Sequence, residues 1–79
     1  SGRSEGMLKE SLARLSDREL EVFEVIGHGK ATREVAEMLG ISPRTVDSHR
    51  AHIKKKLGLK DGGELVRHAV RWVESGALG

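Results

Sequence analysis

Residues 39–46 read Leu-Gly-Ile-Ser-Pro-Arg-Thr-Val, and no other stretch of the chain limits its fold so tightly. Gly40 has no β-carbon and accepts the left-handed backbone that ends a helix, so a helix arriving at Leu39 can stop there abruptly. Ser42-Pro43 then starts another at once. The serine hydroxyl can cap free N–H groups, and proline suits the first helical position, where an N–H would have no partner. Ile41, between the two signals, points inward and bridges the helices. A turn this tight leaves no room for a strand and predicts a helix-turn-helix from about Thr32 to Leu57.

The flanking sequence continues in helices. Ser16-Asp17-Arg18-Glu19 matches the reciprocal capping box, with acidic residues where the helix dipole favours them. Leu20, Phe23, Val25 and Ile26 supply an apolar stripe, with Glu19, Glu21 and Glu24 mainly outside it, and Gly27-His28-Gly29 ends the helix. Thr32 is the expected cap of a short second helix whose apolar residues are Val35, Ala36 and Leu39. In the third, Val46, Ile53 and Leu57 form one narrow stripe and Gly58 marks the stop. Asp61-Gly62-Gly63-Glu64 has the form of another cap, leading into Leu65, Val66, Ala69, Val70, Trp72 and Val73 before Ser75-Gly76. The fold class expected is all-α, four helices around a central helix-turn-helix and no wing. Residues 1–14 read as a flexible lead-in or linker, although Leu8, Leu12 and Leu15 allow a short helix over Leu8 to Arg14. Residues 15–75 make the domain and 76–79 a tail.

With 79 residues the chain has one core and no second, catalytic domain. Cysteine is absent, which removes disulfides and thiolate metal sites. No apolar run approaches the roughly 20 residues that cross a bilayer, and Ser1 to Glu10 lacks a signal peptide's apolar core, so a soluble protein of the cytoplasm is expected. No nucleophile-base pair or phosphate-binding glycine loop is present, so no enzyme activity and no cofactor is expected. His49 and His52 have a metal-compatible spacing but no third ligand beside them, and no metal site is expected. His49 belongs at the core edge and His28 in a loop.

The net charge of +2 says little, but its distribution is uneven. Arg44, Arg50, Lys54, Lys55, Lys56 and Lys60 stand against Asp47 alone between residues 43 and 60, and the remainder of the chain is net acidic. With Phe23 and Trp72 the only aromatic residues, base stacking on exposed rings is poorly supported, whereas reading a groove of duplex DNA fits. If Val46, Ile53 and Leu57 face the core, then Arg44, Asp47, Ser48, Ala51 and Lys55 fall on the opposite face of the third helix. Arg44, Asp47, Ser48 and Ala51 are the candidate base readers. Thr45, Arg50, Lys54, Lys55 and Lys56 are the candidate phosphate contacts, which supply affinity without reading sequence. Asp47 is repelled by phosphate, so its place in a basic helix points either to a cytosine amino group or to an ion pair that orients Arg50 or Arg44.

Leu15-Ser16-Asp17-Arg18-Glu19-Leu20-Glu21-Val22, Glu34-Val35-Ala36, Ile41-Ser42-Pro43-Arg44-Thr45-Val46, His49 and Lys56-Leu57-Gly58-Leu59 occur in the order found in LuxR-type helix-turn-helix domains. The chain resembles that family, of the NarL/FixJ and GerE kind, from roughly Leu15 to Val73. The resemblance implies the C-terminal output domain of a bacterial response regulator or related regulator, with helix three in the major groove of double-stranded DNA. It implies base contacts at Asp47, Ser48 and Ala51, and backbone contacts at Thr45, Arg50, Lys54 and the start of helix four. It also implies a homodimer on DNA through helix four, and RNA polymerase as a further partner. Where many members carry a basic residue before helix four, this chain has Gly62, which puts one phosphate contact in doubt.

Helix four carries two apolar stripes, Leu65-Ala69-Trp72 and Val66-Val70-Val73, more than one core contact requires. Val66, Val70 and Val73 are the candidate dimer face. The alternatives are that both stripes are buried within the monomer, or that the whole unit is a protein-interaction module using helix four.

Overall fold

The computed structural model describes residues 10–76, and within them the chain folds into four principal helices. They are α1 (Asp17–Gly27), α2 (Thr32–Leu39), α3 (Pro43–Leu57) and α4 (Gly62–Glu74). The stop and start signals of the sequence account for most of their ends. Gly40 has φ 67° and Gly58 φ 69°, both left-handed. In each case the next residue's N–H reaches back to close the turn: Ile41 donates to the Ala36 carbonyl at 3.0 Å and Leu59 to that of Lys54 at 2.8 Å. Ser42 Oγ accepts the Thr45 N–H at 3.1 Å, and Asp61 Oδ1 accepts that of Glu64 at 2.9 Å. Both ends of α3 are thus fixed by short-range bonds, and its direction follows from the turn.

α2 starts differently from the expectation. Ala31, not Thr32, is the cap residue, and Thr32 is the first residue of the helix. Alanine has no side-chain acceptor, so only one arm of a capping box forms, the Glu34 carboxylate accepting the Ala31 N–H at 3.0 Å. A glutamate three residues into the helix anchors its start without a capping hydroxyl.

Among the described residues twelve buried apolar side chains form a single core: Leu12, Leu15, Val22, Phe23, Ile26, Val35, Ala36, Val46, Ile53, Leu65, Ala69 and Trp72. In α1 the innermost residues are Val22, Phe23 and Ile26, while Leu20 and Val25 are half-buried at the margin. The expected stripe is therefore rotated toward Val22. Trp72 and Phe23 stack at a tilt with ring centroids 5.4 Å apart, joining α4 to α1. Residues 10–12 are helical and Leu12 is only 7% exposed, so the expected flexible lead-in does not describe this end of it. Its first nine residues, Leu8 among them, and residues 77–79 of the tail lie outside the described residues.

α1 packs closely on α4 at Gly27. A β-carbon there would lie 2.5 Å from the Ala69 carbonyl oxygen and 2.5 Å from Val73 Cγ2. Glycine is required by contact, since the backbone of α4 cannot give way as a flexible side chain could.

Glu19 departs most from the sequence reading. Placed there outside the apolar stripe, its side chain is 6% exposed. Its Oε1 accepts the Ser16 N–H at 2.9 Å, the return arm of the capping box, and also receives the Lys56 ammonium at 2.7 Å. His52 Nδ1 stands 3.8 Å from Oε2. A buried carboxylate is tolerated when it is paired and hydrogen-bonded in this way. Burial pushes its pKa up, but the bonds from Lys56 and from Ser16, with the charge of Lys56, outweigh this and hold it below the ordinary value of 4.5.

Two consequences are measurable. Gly27→Ala should destabilise the domain by about 1–3 kcal/mol, the usual cost of overpacking, seen as a lower thermal midpoint. Glu19→Gln should cost about 1–3 kcal/mol at neutral pH, since it retains a bond from Ser16 but loses the charge opposite Lys56. A carboxylate with a lowered pKa in the folded state contributes fully above about pH 4.5 and progressively less as pH falls through that folded-state value. The stability difference between the parent and the glutamine variant should shrink under acid in denaturant titrations. A difference constant down to pH 3 would exclude the charge as its source.

Candidate nucleic-acid interface

α3 sorts its residues by direction. Val46 and Ile53 are fully buried, and Leu57 is half-buried against the core. Directly opposite, Arg44, Asp47, Ser48, Ala51 and Lys55 are exposed, so the side chains expected to share one face do share it. The first turn of this face is held by its cap. Thr45 is half-buried there, and its hydroxyl lies 2.9 Å from that of Ser42.

Of the two explanations open for Asp47, the structure gives no support to the internal one. Among the described residues it forms no ion pair with Arg44, Arg50 or any other cation. Asp47 is an exposed residue of the outward face.

The cations of α3 occupy different flanks. Arg50 is half-buried, and its Nη2 lies 3.4 Å from where a β-carbon on Gly62 would stand. Gly62 is the first residue of α4 itself, so the position where the family pattern has a basic side chain lies under the guanidinium of Arg50. Lys54 is half-buried and Lys55 exposed. Lys56 is set apart from the other four expected phosphate contacts, since its ammonium is bonded to Glu19 of α1. It serves as an anchor between helices in this structure.

His52, considered in the sequence only as a metal ligand, is exposed on the flank toward α1, where its Nδ1 lies 3.8 Å from Glu19 Oε2. His49 is half-buried on α3, and no group of three or more His, Cys, Asp or Glu among the described residues is placed to hold a metal ion. The clue to Glu19 was its place in the capping box, which marks a carboxylate turned back on its own helix. Its pairing with Lys56 spans 37 residues of sequence and left no local pattern.

In α4 the two apolar stripes separate. Leu65, Ala69 and Trp72 are core residues, while Val66 is 38% exposed and Val70 half-buried. A shallow groove of about 300 Å³ runs along this side, lined by Val66, Arg67, Val70, Arg71 and Glu74. Val73 packs against the core beside Gly27 and is engaged within the monomer. No helix among the described residues is long and apolar enough to cross a membrane.

Residues 13–69 match the family described as bacterial regulatory proteins, luxR family. Over 60 residues, 76% of the chain, it is 45% identical to the transcriptional regulatory protein TdiR of Thauera aromatica. Over 57 residues, 72% of the chain, it is 47% identical to the oxygen regulatory protein NreC of Staphylococcus aureus. In both cases the match covers 26% of the relative, so the chain spans about a quarter of the length of these regulators. The family is one of regulatory domains and not an enzyme class. The chain belongs to the luxR family of bacterial regulatory proteins, and its helix-turn-helix is a DNA-binding domain of transcription regulation.

Proposed function

We propose that α3 lies in the major groove of duplex DNA and that sequence is read by Arg44, Asp47, Ser48 and Ala51. The observation that carries this reading is the outward face of α3, where a carboxylate without an internal partner stands among small side chains in a basic helix. An exposed carboxylate has no use against phosphate but can accept from a cytosine amino group. Ser48 and Ala51 permit close approach, Ala51 offering its methyl to a thymine. Thr45, Arg50, Lys54 and Lys55 hold the flanking phosphates, with Arg50 acting beside the N-terminus of α4, where backbone N–H groups also favour an anion. Lys56 contributes mainly by holding α3 to α1.

The functional species is a homodimer, with the groove beside Val66 and Val70 as the contact between copies and Val73 left largely to the monomer. The domain serves as the output part of a longer response regulator in the cytoplasm, with RNA polymerase as its further partner.

Arg50→Ala and Lys54→Ala should each weaken binding to all duplexes alike and lower the slope of log K against log salt by about 0.9. Asp47→Asn should instead change which sequences are selected from a random pool, shifting preference at a base pair by about 1–3 kcal/mol. A uniform affinity change in the asparagine variant would exclude a base contact. Val66→Asp should leave the fold intact and reduce cooperative binding to paired half-sites, as followed by gel shift. Undiminished cooperativity would place the dimer contact elsewhere.

A further inference from the structure

His52 lies on the edge of the outward face of α3, next to Ala51 and one helical turn from both Ser48 and Lys55. Its side chain is 64% exposed. Exposure leaves it free to meet the duplex, and its pairing determines which part of the ring does so. Nδ1 is the nitrogen turned to Glu19, at 3.8 Å from Oε2, and Nε2 lies across the ring from it. The buried carboxylate is itself fixed by Ser16 and Lys56, so it offers the imidazole a stationary partner.

We propose that His52 is a further contact to the DNA backbone, made in its protonated form, so that duplex binding by this domain takes up a proton. The proposal rests on the placement of α3 in the groove. Imidazole is the one side chain type on α3 whose ordinary titration falls between pH 5 and 8, and phosphodiesters do not titrate in that range. A neutral imidazole can bring a phosphate one hydrogen bond, whereas an imidazolium brings a charge-assisted one and releases a counterion. Two charged groups accompany it. They are Glu19, from α1, and Lys56, one turn along α3, which shares that carboxylate. Neither α2 nor α4 contributes an ion-pair partner among the described residues. The Glu19 carboxylate, with its lowered pKa, stays ionised throughout the histidine range.

The experiment is fluorescence anisotropy of a labelled random-sequence duplex, titrated with the 79-residue chain at several salt concentrations at about pH 8 and about pH 5.5. Binding should tighten by about three- to tenfold at the lower pH, with a salt slope steeper by about 0.9. His52→Gln, at an exposed position and with folding checked by circular dichroism, should lose most of that response. His52→Lys should bind at pH 8 about as tightly as the parent does at pH 5.5. A parent affinity independent of pH, or a glutamine variant with the parent's full pH response, overturns the proposal while leaving the groove placement of α3 standing. Failure of the parent to bind any duplex at either pH would overturn that placement itself.

Discussion

α3 carries more cations than apolar side chains, so its seat on the domain cannot rest on burial alone. Val46 and Ile53 supply the fully buried surface, two residues in a helix of fifteen. Beside Ile53 and the half-buried Leu57, what ties the C-terminal half of the helix to the body is the Glu19 carboxylate, which starts α1 through Ser16 and receives Lys56 from α3. One side chain thereby caps the beginning of one helix and holds the flank of another. The arrangement is expensive to break from either side, because removing Lys56 strands a buried charge, whereas the exposed pair Arg18 and Glu21 can separate into water at little cost. A DNA-reading helix needs this kind of fixture, since it must keep its polar residues outward and still hold its orientation.

The opposite flank is built differently. Arg50 lies across Gly62 at the start of α4, its guanidinium 3.4 Å from where a β-carbon on that glycine would stand. A cation contributed from α3 therefore stands where the family pattern has a basic residue on the chain itself, a substitution in space and not in sequence. Between these two flanks the outward face combines the small or short side chains of Asp47, Ser48 and Ala51 with the long cations Arg44 and Lys55.

What could be read in the sequence were the features whose cause is local. Gly40, Ser42-Pro43, Gly58 and Asp61 act within one turn of themselves, and they place the ends of α2, α3 and α4 correctly. Periodicity placed Val46 and Ile53 inside and Asp47, Ser48 and Ala51 outside for the same reason. What the sequence did not show was in one case a local competition between caps and otherwise a matter of tertiary contact. Glu19 looked like a surface charge because its partner lies 37 residues away. Thr32 looked like a cap because hydroxyls cap well, but Glu34 reaching Ala31 moved the start by one residue. The two stripes of α4 could not be told apart by periodicity, and packing against the other helices turns Leu65, Ala69 and Trp72 inward.

That last decision bears on assembly. The close approach at Gly27 draws Val73 toward α1, while Val66 and Val70 lie farther round α4 beside Arg67, Arg71 and Glu74. The apolar surface that the proposed dimer would use is therefore short, two valines wide, and bordered by charges of both signs. So small an apolar strip removes little area from water, far less than a stable dimer interface of about 1,200–2,000 Å². A domain built this way should pair weakly when free and firmly only when two half-sites on one duplex hold the copies together, because DNA supplies the effective concentration that the strip lacks.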